Sequence, residues 1–378
     1  MITAFSIISI ALSFFYLILL LYFLSGWVKT KTPVKPVTDR RVTVSVLLPV
    51  RNESANIEGL IRDILEQSYP ASLTEIILID DQSTDDTVAK ALAFNSPQIK
   101  IIRLDESETL NSYKKKAISV AIAQSDAELI IMTDGDCRVG KEWVSSIVGF
   151  YQANNLKLVS APVSFFREKS LFERLQTIEF QYLIGVGGAA ILHGKPITCN
   201  GANLAYTREV FHEVHGFEDI DDIASGDDEL FLHKVAAKYP EQIGFLKDPR
   251  AIVHTYAKET LGEFIEQRKR WASNSVKYKD KGMMMWIVGL VFLFNLSLPL
   301  NLLAGFFVPV LWKTLLVQIV MKCIADGVFI YATLRFFDKR RYIFYLPIVE
   351  ICYTLYILTI GLYGFMGGSY SWKGRTVR

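Results

Sequence analysis

Long apolar stretches lie towards both ends of the chain, and a region of mixed apolar and polar residues lies between them. Residues 2–24 carry no charged side chain and are long enough to cross a bilayer as a helix. Two further apolar stretches occupy 283–337 and 342–366, and we expect Lys322 and Asp326 of the former to form a buried ion pair on one helical face. The pattern predicts transmembrane helices on both sides of a globular domain.

The first apolar stretch has no basic residues before it and no small-residue cleavage site, so we expect a retained anchor rather than a signal peptide. The predicted organisation is an N-terminal transmembrane anchor at 1–27, a globular domain at 42–272, a juxtamembrane segment at 273–282, transmembrane helices at 283–367 and a basic tail at 368–378.

Basic residues follow the first apolar stretch closely. They are Lys29, Lys31, Lys35, Arg40 and Arg41. Because positively charged loops stay on the cytoplasmic side, we expect an integral protein of the cell inner membrane whose globular domain lies in the cytoplasm. Over the whole chain 41 Lys and Arg residues nearly balance 39 Asp and Glu residues, which argues against a nucleic-acid partner.

The middle region alternates between two kinds of apolar pattern. Short runs of apolar and β-branched residues predict strands at 42–50, 75–80, 99–104, 127–133 and 156–163. Apolar residues at helical spacing predict helices between them, at 57–65, at 112–124 and from about residue 140. Strands that alternate with helices predict an α/β fold with a mostly parallel, doubly wound, Rossmann-like sheet.

Polar residues follow three of the predicted strands at the point where each strand ends. Pro49, Arg51 and Glu53 belong to the first strand end, Asp80 and Asp81 to the second, and Asp134, Gly135 and Asp136 to the fourth strand of the chain. In doubly wound sheets, ligands bind outside the carboxyl ends of the strands. We therefore expect these loops to meet at one edge of the sheet.

Asp134 and Asp136 lie one residue apart in a predicted turn, so both carboxylates can face one point. Carboxylate oxygens suit Mg²⁺ or Mn²⁺ and do not separate the two metals. A cation held by two carboxylates keeps open positions for phosphate oxygens. A solvated turn with two acids is the ordinary alternative, and the neighbouring motifs favour the metal.

Taken together, these motifs resemble those of the membrane-bound family 2 glycosyltransferases, which have the GT-A fold and include ceramide-glucosyltransferase-like and chitin- or hyaluronan-synthase-like enzymes. The resemblance covers about 43–272, and the flanking apolar stretches fit it. The DDQSTD segment at 80–85 looks like the family's DDxSxD nucleotide loop, and Asp134–Gly135–Asp136 matches its metal-binding D-x-D. The QRKRW segment at 267–271 matches its QxxRW motif.

The resemblance implies a set of residues that bind the nucleotide sugar. They are Pro49, Arg51, Glu53, Asp80, Asp81, Lys114, Asp134, Gln267, Arg270 and Trp271. Lys114 stands where the family has the lysine of its GKxxAL segment, with Lys115 and Lys116 as alternatives beside it. The family's QxxRW segment also lines the acceptor pocket, so Trp271 joins Gly201 and Asn203 of the CNGAN loop as predicted acceptor residues.

The SGDDEL segment at 225–230 resembles the family's ED-x-x-L motif, whose Asp is the catalytic base. Alignment on Leu230 places the base at Asp227 and puts Gly226 where an acid is usual, and Asp228 is the alternative base. One base on one face of the sugar and one set of groups that stabilise the diphosphate on the other face imply direct displacement, with inversion at the anomeric carbon.

The sequence therefore predicts a metal-dependent, inverting transferase that moves a sugar from a nucleotide sugar, by resemblance a UDP-sugar, to a membrane lipid. The small number of apolar stretches and the short tail favour a lipid acceptor. One alternative is a processive polysaccharide synthase, to which the WKGR segment at 372–375 points. The other is a non-catalytic membrane subunit with a transferase-like domain.

Overall fold

The computed structural model describes residues 2–29, 41–104, 112–223, 225–273, 282–366, 370–372 and 375–377. Several features of the sequence lie outside the described residues. They are Lys31, Lys35 and Arg40 of the basic cluster, residues 274–281 of the juxtamembrane segment, Lys373 and Gly374 of the WKGR segment, and residues 367–369 and 378 of the C-terminal region.

Helices and strands alternate through the middle of the chain, as predicted. The helices are α1 (Ile2–Lys29), α2 (Ile57–Leu65), α3 (Thr87–Leu92), α4 (Tyr113–Ala123), α5 (Trp143–Asn154), α6 (Leu171–Leu192), α7 (Arg208–Glu213), α8 (Glu229–Lys238), α9 (Leu261–Ser273), α10 (Gly282–Gly305), α11 (Val310–Phe336) and α12 (Leu346–Met366). The strands are β1 (Val44–Val50), β2 (Thr74–Asp80), β3 (Ile99–Arg103), β4 (Leu129–Met132), β5 (Arg138–Val139), β6 (Leu158–Ser160), β7 (Val163–Phe165), β8 (Leu204–Thr207), β9 (Ile243–Phe245), β10 (Val253–Thr255), β11 (Tyr370–Trp372) and β12 (Arg375–Val377).

The described residues fall into two compact units. The sheet unit lies within Thr30–Glu168, Ala190–Lys258 and Ser369–Arg378, and the helical unit lies within Met1–Lys29, Lys169–Ala189 and Glu259–Gly368. Residues 171–189 of α6 and 261–272 of α9 fall inside the predicted 42–272 domain but belong to the helical unit. The domain limits therefore stay predictions.

The sheet unit is built on a seven-stranded sheet in the order β3-β2-β1-β4-β8-β6-β9. Strands β1 to β4 run parallel, whereas β8 runs antiparallel to both of its neighbours. The central strands β1, β2 and β4 are almost entirely buried, which explains their continuous apolar runs. The predicted α/β class with a mostly parallel sheet is confirmed.

The predicted strand at 156–163 is wrong, because the chain forms two strands there. Strand β6 belongs to the main sheet, and β7 belongs to a smaller sheet in the order β5-β10-β7. Pro162 stands between them, and proline has no N–H to continue a strand ladder. Its carbonyl accepts instead from the N–H of Val253 in β10, at 3.0 Å.

Five helices among the described residues are long and apolar enough to cross a membrane. They cover Ile2–Lys29, Leu171–Leu192, Met284–Gly305, Val310–Phe336 and Arg340–Gly361. Leu171–Leu192 was not predicted, because Glu173, Arg174 and Glu179 interrupt its apolar pattern. Its residue Ile178 packs against Ile330 of α11 and Val349 of α12 in the core of the helical unit.

The predicted ion pair between Lys322 and Asp326 is confirmed, with 2.7 Å between Lys322 Nζ and Asp326 Oδ2. Two residues join it that the sequence pattern did not indicate. Glu350 of α12 also pairs with Lys322, and the hydroxyl of Tyr16 donates to Asp326 Oδ1 at 2.5 Å. Paired charges and hydrogen bonds make buried ionisable groups tolerable in an apolar helical core, and here they connect α1, α11 and α12.

Candidate active site

The loops after β1 and β2 are joined by hydrogen bonds. Arg51 Nη1 donates to the carbonyl of Asp81 at 2.7 Å. Asn52 adopts φ of 54°, a left-handed conformation that asparagine tolerates. From there its N–H donates to Ser83 Oγ at 2.9 Å, and its side-chain oxygen accepts from the N–H of Thr84 at 2.8 Å. The two predicted nucleotide-binding loops therefore form one structure.

Both acids at the end of β2 are buried, with 5% of Asp80 and 4% of Asp81 exposed. Asp80 Oδ1 accepts from the N–H of Ser83 at 3.1 Å, and the N–H of Asp81 donates to the carbonyl of Val50 at 2.8 Å. Pro49 lies inside β1, one residue before Val50. The backbone thus fixes both acids at the carboxyl edge of the sheet.

The D-x-D turn packs directly against the loop after β1. A Cβ atom at Gly135 would lie 2.9 Å from Glu53 Cγ and 2.9 Å from Val50 Cγ1, closer than carbon atoms approach. A side chain at this position therefore forces Glu53 or Val50 to shift. The ends of β1, β2 and β4 therefore meet at one edge, as the sequence predicts.

Lys114 is the lysine of α4 that reaches the acids. Its Nζ atom lies 2.9 Å from Asp134 Oδ1 and 3.0 Å from Asp227 Oδ2. Burial lowers the pKa of Lys114, but the carboxylates of Asp134, Asp227 and Asp228 outweigh burial and hold that pKa well above its ordinary value. The acids around Lys114 therefore stabilise its ammonium form.

Lys115, which the sequence left as an alternative, has a different partner. Its ammonium donates to the carbonyls of Ile220 and Ile223, the latter at 2.9 Å. Burial lowers the pKa of Lys115 to about 8, while nearby acids oppose that shift. Lys115 thus holds the segment that precedes Asp227, a structural role that the motif alone did not reveal.

Asp227 and Asp228 differ in what their carboxylates contact. Asp227 pairs with Lys114, whereas both oxygens of Asp228 accept backbone N–H groups, from Gly201 at 2.8 Å and from Glu229 at 2.7 Å. Burial and the charge of Asp227 raise the pKa of Asp228 above its ordinary value. Asp228 therefore caps α8 and anchors the Gly201 loop.

Gly226 occupies the position where the family that the chain resembles has an acid. Its φ is 79°, in the left-handed region where a side chain with a Cβ is strained. The departure from the family motif therefore has a backbone reason, and it leaves Asp227 at the position predicted for the base.

Two of the three residues predicted at the acceptor, Gly201 and Asn203, lie in one 3₁₀ turn but have different surroundings. Gly201 lies against the acids, because a Cβ there would lie 3.3 Å from Asp228 Oδ2 and 3.4 Å from Asp227 Oδ2. Asn203 is fully buried. Its Nδ2 donates to two backbone carbonyls at 2.8 Å each, and its Oδ1 accepts from Trp143 Nε1 at 3.0 Å. Asn203 shapes the loop, and Gly201 borders the acids.

The charges at this edge fit a divalent cation. The carboxylates of Asp134, Asp227 and Asp228 surround the ammonium of Lys114, and Asp136 lies two residues after Asp134, so acids outnumber this cation. Asp134 and Asp136 are both partly exposed at the turn, and their oxygens are the donors that Mg²⁺ and Mn²⁺ prefer. No group of three or more His, Cys, Asp or Glu residues suited to a metal occurs in the described part of the chain. A cation bound here would take its remaining ligands from elsewhere.

The predicted QxxRW residues lie on α9, in the helical unit. Gln267 Oε1 accepts from Arg268 Nη1 at 2.6 Å, and the Trp271 ring stacks on Phe180 with 6.0 Å between centroids. Arg270 is half-buried on the same helix. Their predicted contacts with donor and acceptor stay predictions.

The chain is similar to known sugar transferases and synthases. Residues 45–214 match the model of the family "Glycosyl transferase family 2". The poly-beta-1,6-N-acetyl-D-glucosamine synthase of Staphylococcus epidermidis is 27% identical over 236 residues, which are 61% of this chain and 53% of the synthase. The beta-monoglucosyldiacylglycerol synthase of Nostoc sp. is 27% identical over 162 residues, which are 40% of this chain and 34% of that enzyme. The chain thus spans about half, or less, of the length of these relatives.

A solved structure shares the fold. The mannosyltransferase PcManGT from Pyrobaculum calidifontis, in complex with GDP-Man and Mn²⁺, has a TM-score of 0.55 and 18% identity. The match covers 94% of this chain and 99% of the mannosyltransferase. At this identity the likeness shows the fold alone. The family match shows a family 2 glycosyltransferase domain at residues 45–214, and the shared fold is the GT-A fold.

Proposed function

We propose that the protein is a metal-dependent, inverting glycosyltransferase that moves a sugar from a nucleotide sugar to a membrane lipid. The observation that carries the proposal is the position of Lys114 at the ligand edge of the sheet, where its Nζ atom lies within 3.0 Å of a carboxylate oxygen of Asp134 and of one of Asp227. A cation, a metal-binding carboxylate and a candidate base at one point are the groups that sugar transfer requires.

The donor side of the reaction concerns the diphosphate. Asp134 and Asp136 would hold Mg²⁺ or Mn²⁺, which when bound supplies positive charge to the departing diphosphate. Lys114 supplies further positive charge from the chain itself, and its fixed protonation suits that task. Asp80, Asp81 and the Arg51 loop would hold the nucleoside, by resemblance that of a UDP-sugar.

The acceptor side concerns one proton. The attacking hydroxyl must lose its proton as it approaches the anomeric carbon, and a carboxylate on the face opposite the leaving group takes it. Asp227 suits this role better than Asp228, because both oxygens of Asp228 already accept backbone N–H groups. Lys114 pairs with Asp227, and a diphosphate that attracts Lys114 would release that carboxylate. One base and one displacement give inversion.

The acceptor is proposed from the membrane character of the chain. Helices that can cross a bilayer belong to the same chain as the transferase domain, so a lipid hydroxyl would be presented at the membrane surface. One relative is named for a glucosyldiacylglycerol product. Gly201 and Trp271 would border the acceptor, Gln267 and Arg270 would contact the diphosphate, and Asn203 would shape the loop.

A processive polysaccharide synthase is the second candidate, because the poly-N-acetylglucosamine synthase matches 61% of this chain. One experiment separates the two functions. Membranes that contain the protein are incubated with a panel of radiolabelled UDP- and GDP-sugars, and lipid is extracted from aqueous polymer. We expect label in the lipid fraction with one donor. Long polymer supports the synthase, and no incorporation from any donor contradicts both proposals.

We also propose that the sheet unit faces the cytoplasm of the cell inner membrane, because the basic cluster that includes Lys29 and Arg41 follows α1. A cysteine in place of Ser6, in a cysteine-free background, should react with impermeant maleimide in intact cells. A cysteine in place of Ser96, on the sheet unit, should react only after the cells are opened. The reverse pattern refutes the orientation.

A further inference from the structure

Arg268, a residue that the QxxRW motif leaves unspecified, is among the most buried charged residues of the helical unit. None of its side chain is exposed, and 9% of the Glu179 side chain is exposed. Arg268 Nε donates to Glu179 Oε1 at 3.1 Å, and Nη2 donates to Glu179 Oε2. The remaining terminal nitrogen, Nη1, donates to Gln267 Oε1 at 2.6 Å. Every nitrogen of the guanidinium group therefore has a defined partner.

The flat faces of the same guanidinium contact two aromatic rings. Its central carbon lies 4.4 Å from the ring centre of Phe264 and 4.2 Å from that of Trp271. Trp271 stacks in turn on Phe180, one residue after Glu179 on α6. Arg268 thus touches two residues of the motif itself, Gln267 through its edge and Trp271 through its face.

We propose that Arg268 and Glu179 are positioning residues that hold Gln267 and Trp271 in the orientation that sugar transfer needs. The inference rests on the proposed function of the QxxRW segment. Stability alone does not explain the pair, because well-packed apolar residues in place of a buried ion pair are often as stable. The planar guanidinium group of Arg268, by contrast, can hydrogen-bond an amide through its edge and stack on an indole through its face. A lysine ammonium cannot do both.

The main test removes both charges together. The double variant Glu179→Met/Arg268→Met leaves no uncompensated buried charge, so we expect the full chain to insert and to unfold at a similar temperature in detergent. The control is Lys169→Met/Glu259→Met, an ion pair at 3.3 Å in the same unit whose side chains are 78% and 73% exposed. Both variants replace one acid and one base with methionine.

We expect the Glu179/Arg268 double variant to lose kcat/KM for transfer by about tenfold or more, on the scale of small misplacements of substrate-positioning groups. The control pair should stay within about twofold, as exposed pairs contribute little. Arg268→Lys keeps a cation for Glu179 but loses the fork and the flat stacking face, so it should show the same loss. This single variant tests the idea even if the double variant inserts poorly.

Two further readouts separate positioning from a merely structural role. In a Gln267→Ala/Trp271→Ala background, the Glu179/Arg268 double change should lower kcat/KM little further, because the effects of residues that act through one another are not additive. The fluorescence of Trp271 is obtained as the difference between the wild type and Trp271→Phe. Acrylamide should quench this fluorescence more strongly in the double variant, because the indole is held less firmly. This measurement needs no substrate.

The outcomes are distinct. Unchanged transfer in the folded double variant overturns the inference, and so does an equal loss in the two backgrounds or unaltered quenching of Trp271. If the wild type transfers no sugar from any donor, the proposed function fails, and Trp271 quenching still decides whether the pair fixes the indole.

Discussion

The two units each carry a cluster of charge, and the two clusters are built in opposite ways. In the sheet unit several carboxylates stand against the ammonium of Lys114, and 41% of the Asp134 side chain is exposed. In the helical unit Arg268 faces Glu179, and none of the Arg268 side chain is exposed. The first cluster is unbalanced and open, and the second is balanced and closed.

The difference follows from the cost of burying charge. An ion in an apolar interior must be paired and hydrogen-bonded, so the Arg268–Glu179 pair leaves nothing for a ligand to neutralise. Excess negative charge at a partly exposed edge is tolerable, because water screens it until a cation arrives. Here the unbalanced charge lies at the candidate active site of the sheet unit, and the balanced charge lies in the packed interior of the helical unit.

The largest effect should come from making the open cluster less negative. Asp136→Ala should abolish measurable transfer, which means a fall in rate on the order of a thousandfold, because it removes a proposed metal ligand at the departing diphosphate. Asp134→Ala should weaken transfer strongly as well. Rates are measured in membranes with matched protein levels, and expression should persist. Full activity of Asp136→Ala would break the comparison.

The base should give the next largest effect. Asp227→Asn should retain donor binding but lose turnover by roughly a hundredfold or more, the scale of removing a general base. Asp228→Asn should lose less, because its carboxylate mainly accepts backbone N–H groups. If Asp228→Asn is the more damaging change, the base assignment moves to Asp228.

Much of the open cluster could be predicted from the sequence, because its residues follow buried strands and share short motifs. Asp134 and Asp136 follow the apolar run of β4, and the structure packs the end of that strand against the loop after β1. The closed cluster could not be predicted, since Glu179 and Arg268 are 89 residues apart and no periodic pattern records their contact. The same reason hid the role of Lys115.

Trp271 tests whether the helical unit takes part in chemistry at all. Trp271→Ala should impair transfer to a lipid acceptor about tenfold more than it impairs hydrolysis of the donor to free sugar. If the Trp271 ring contacts the acceptor, its loss affects transfer more than donor hydrolysis, because aromatic surface binds apolar groups and the faces of sugar rings. Both rates are read from one labelled donor. Equal losses would assign Trp271 to the donor site or to the fold.

A smaller effect should follow from crowding the D-x-D turn. Gly135→Ala places a methyl group against Glu53 and Val50, so it should cost about 1–3 kcal/mol of unfolding free energy, the usual cost of overpacking. Gly140→Ala is the matched control, since its nearest neighbour would be a carbonyl oxygen at an ordinary 3.8 Å. Chemical denaturation of the two variants compares them. Equal stability would show that the turn yields without strain.

The most direct measurement is calorimetric binding of the nucleotide-sugar donor with and without a divalent cation. If the excess of carboxylates around Lys114 is the donor site, binding in Mg²⁺ or Mn²⁺ should exceed binding in EDTA by on the order of a hundredfold, as expected for uncompensated charge near a diphosphate. Asp136→Ala should remove that difference. Donor binding of equal strength in EDTA and in metal, with wild type and variant alike, would contradict the account.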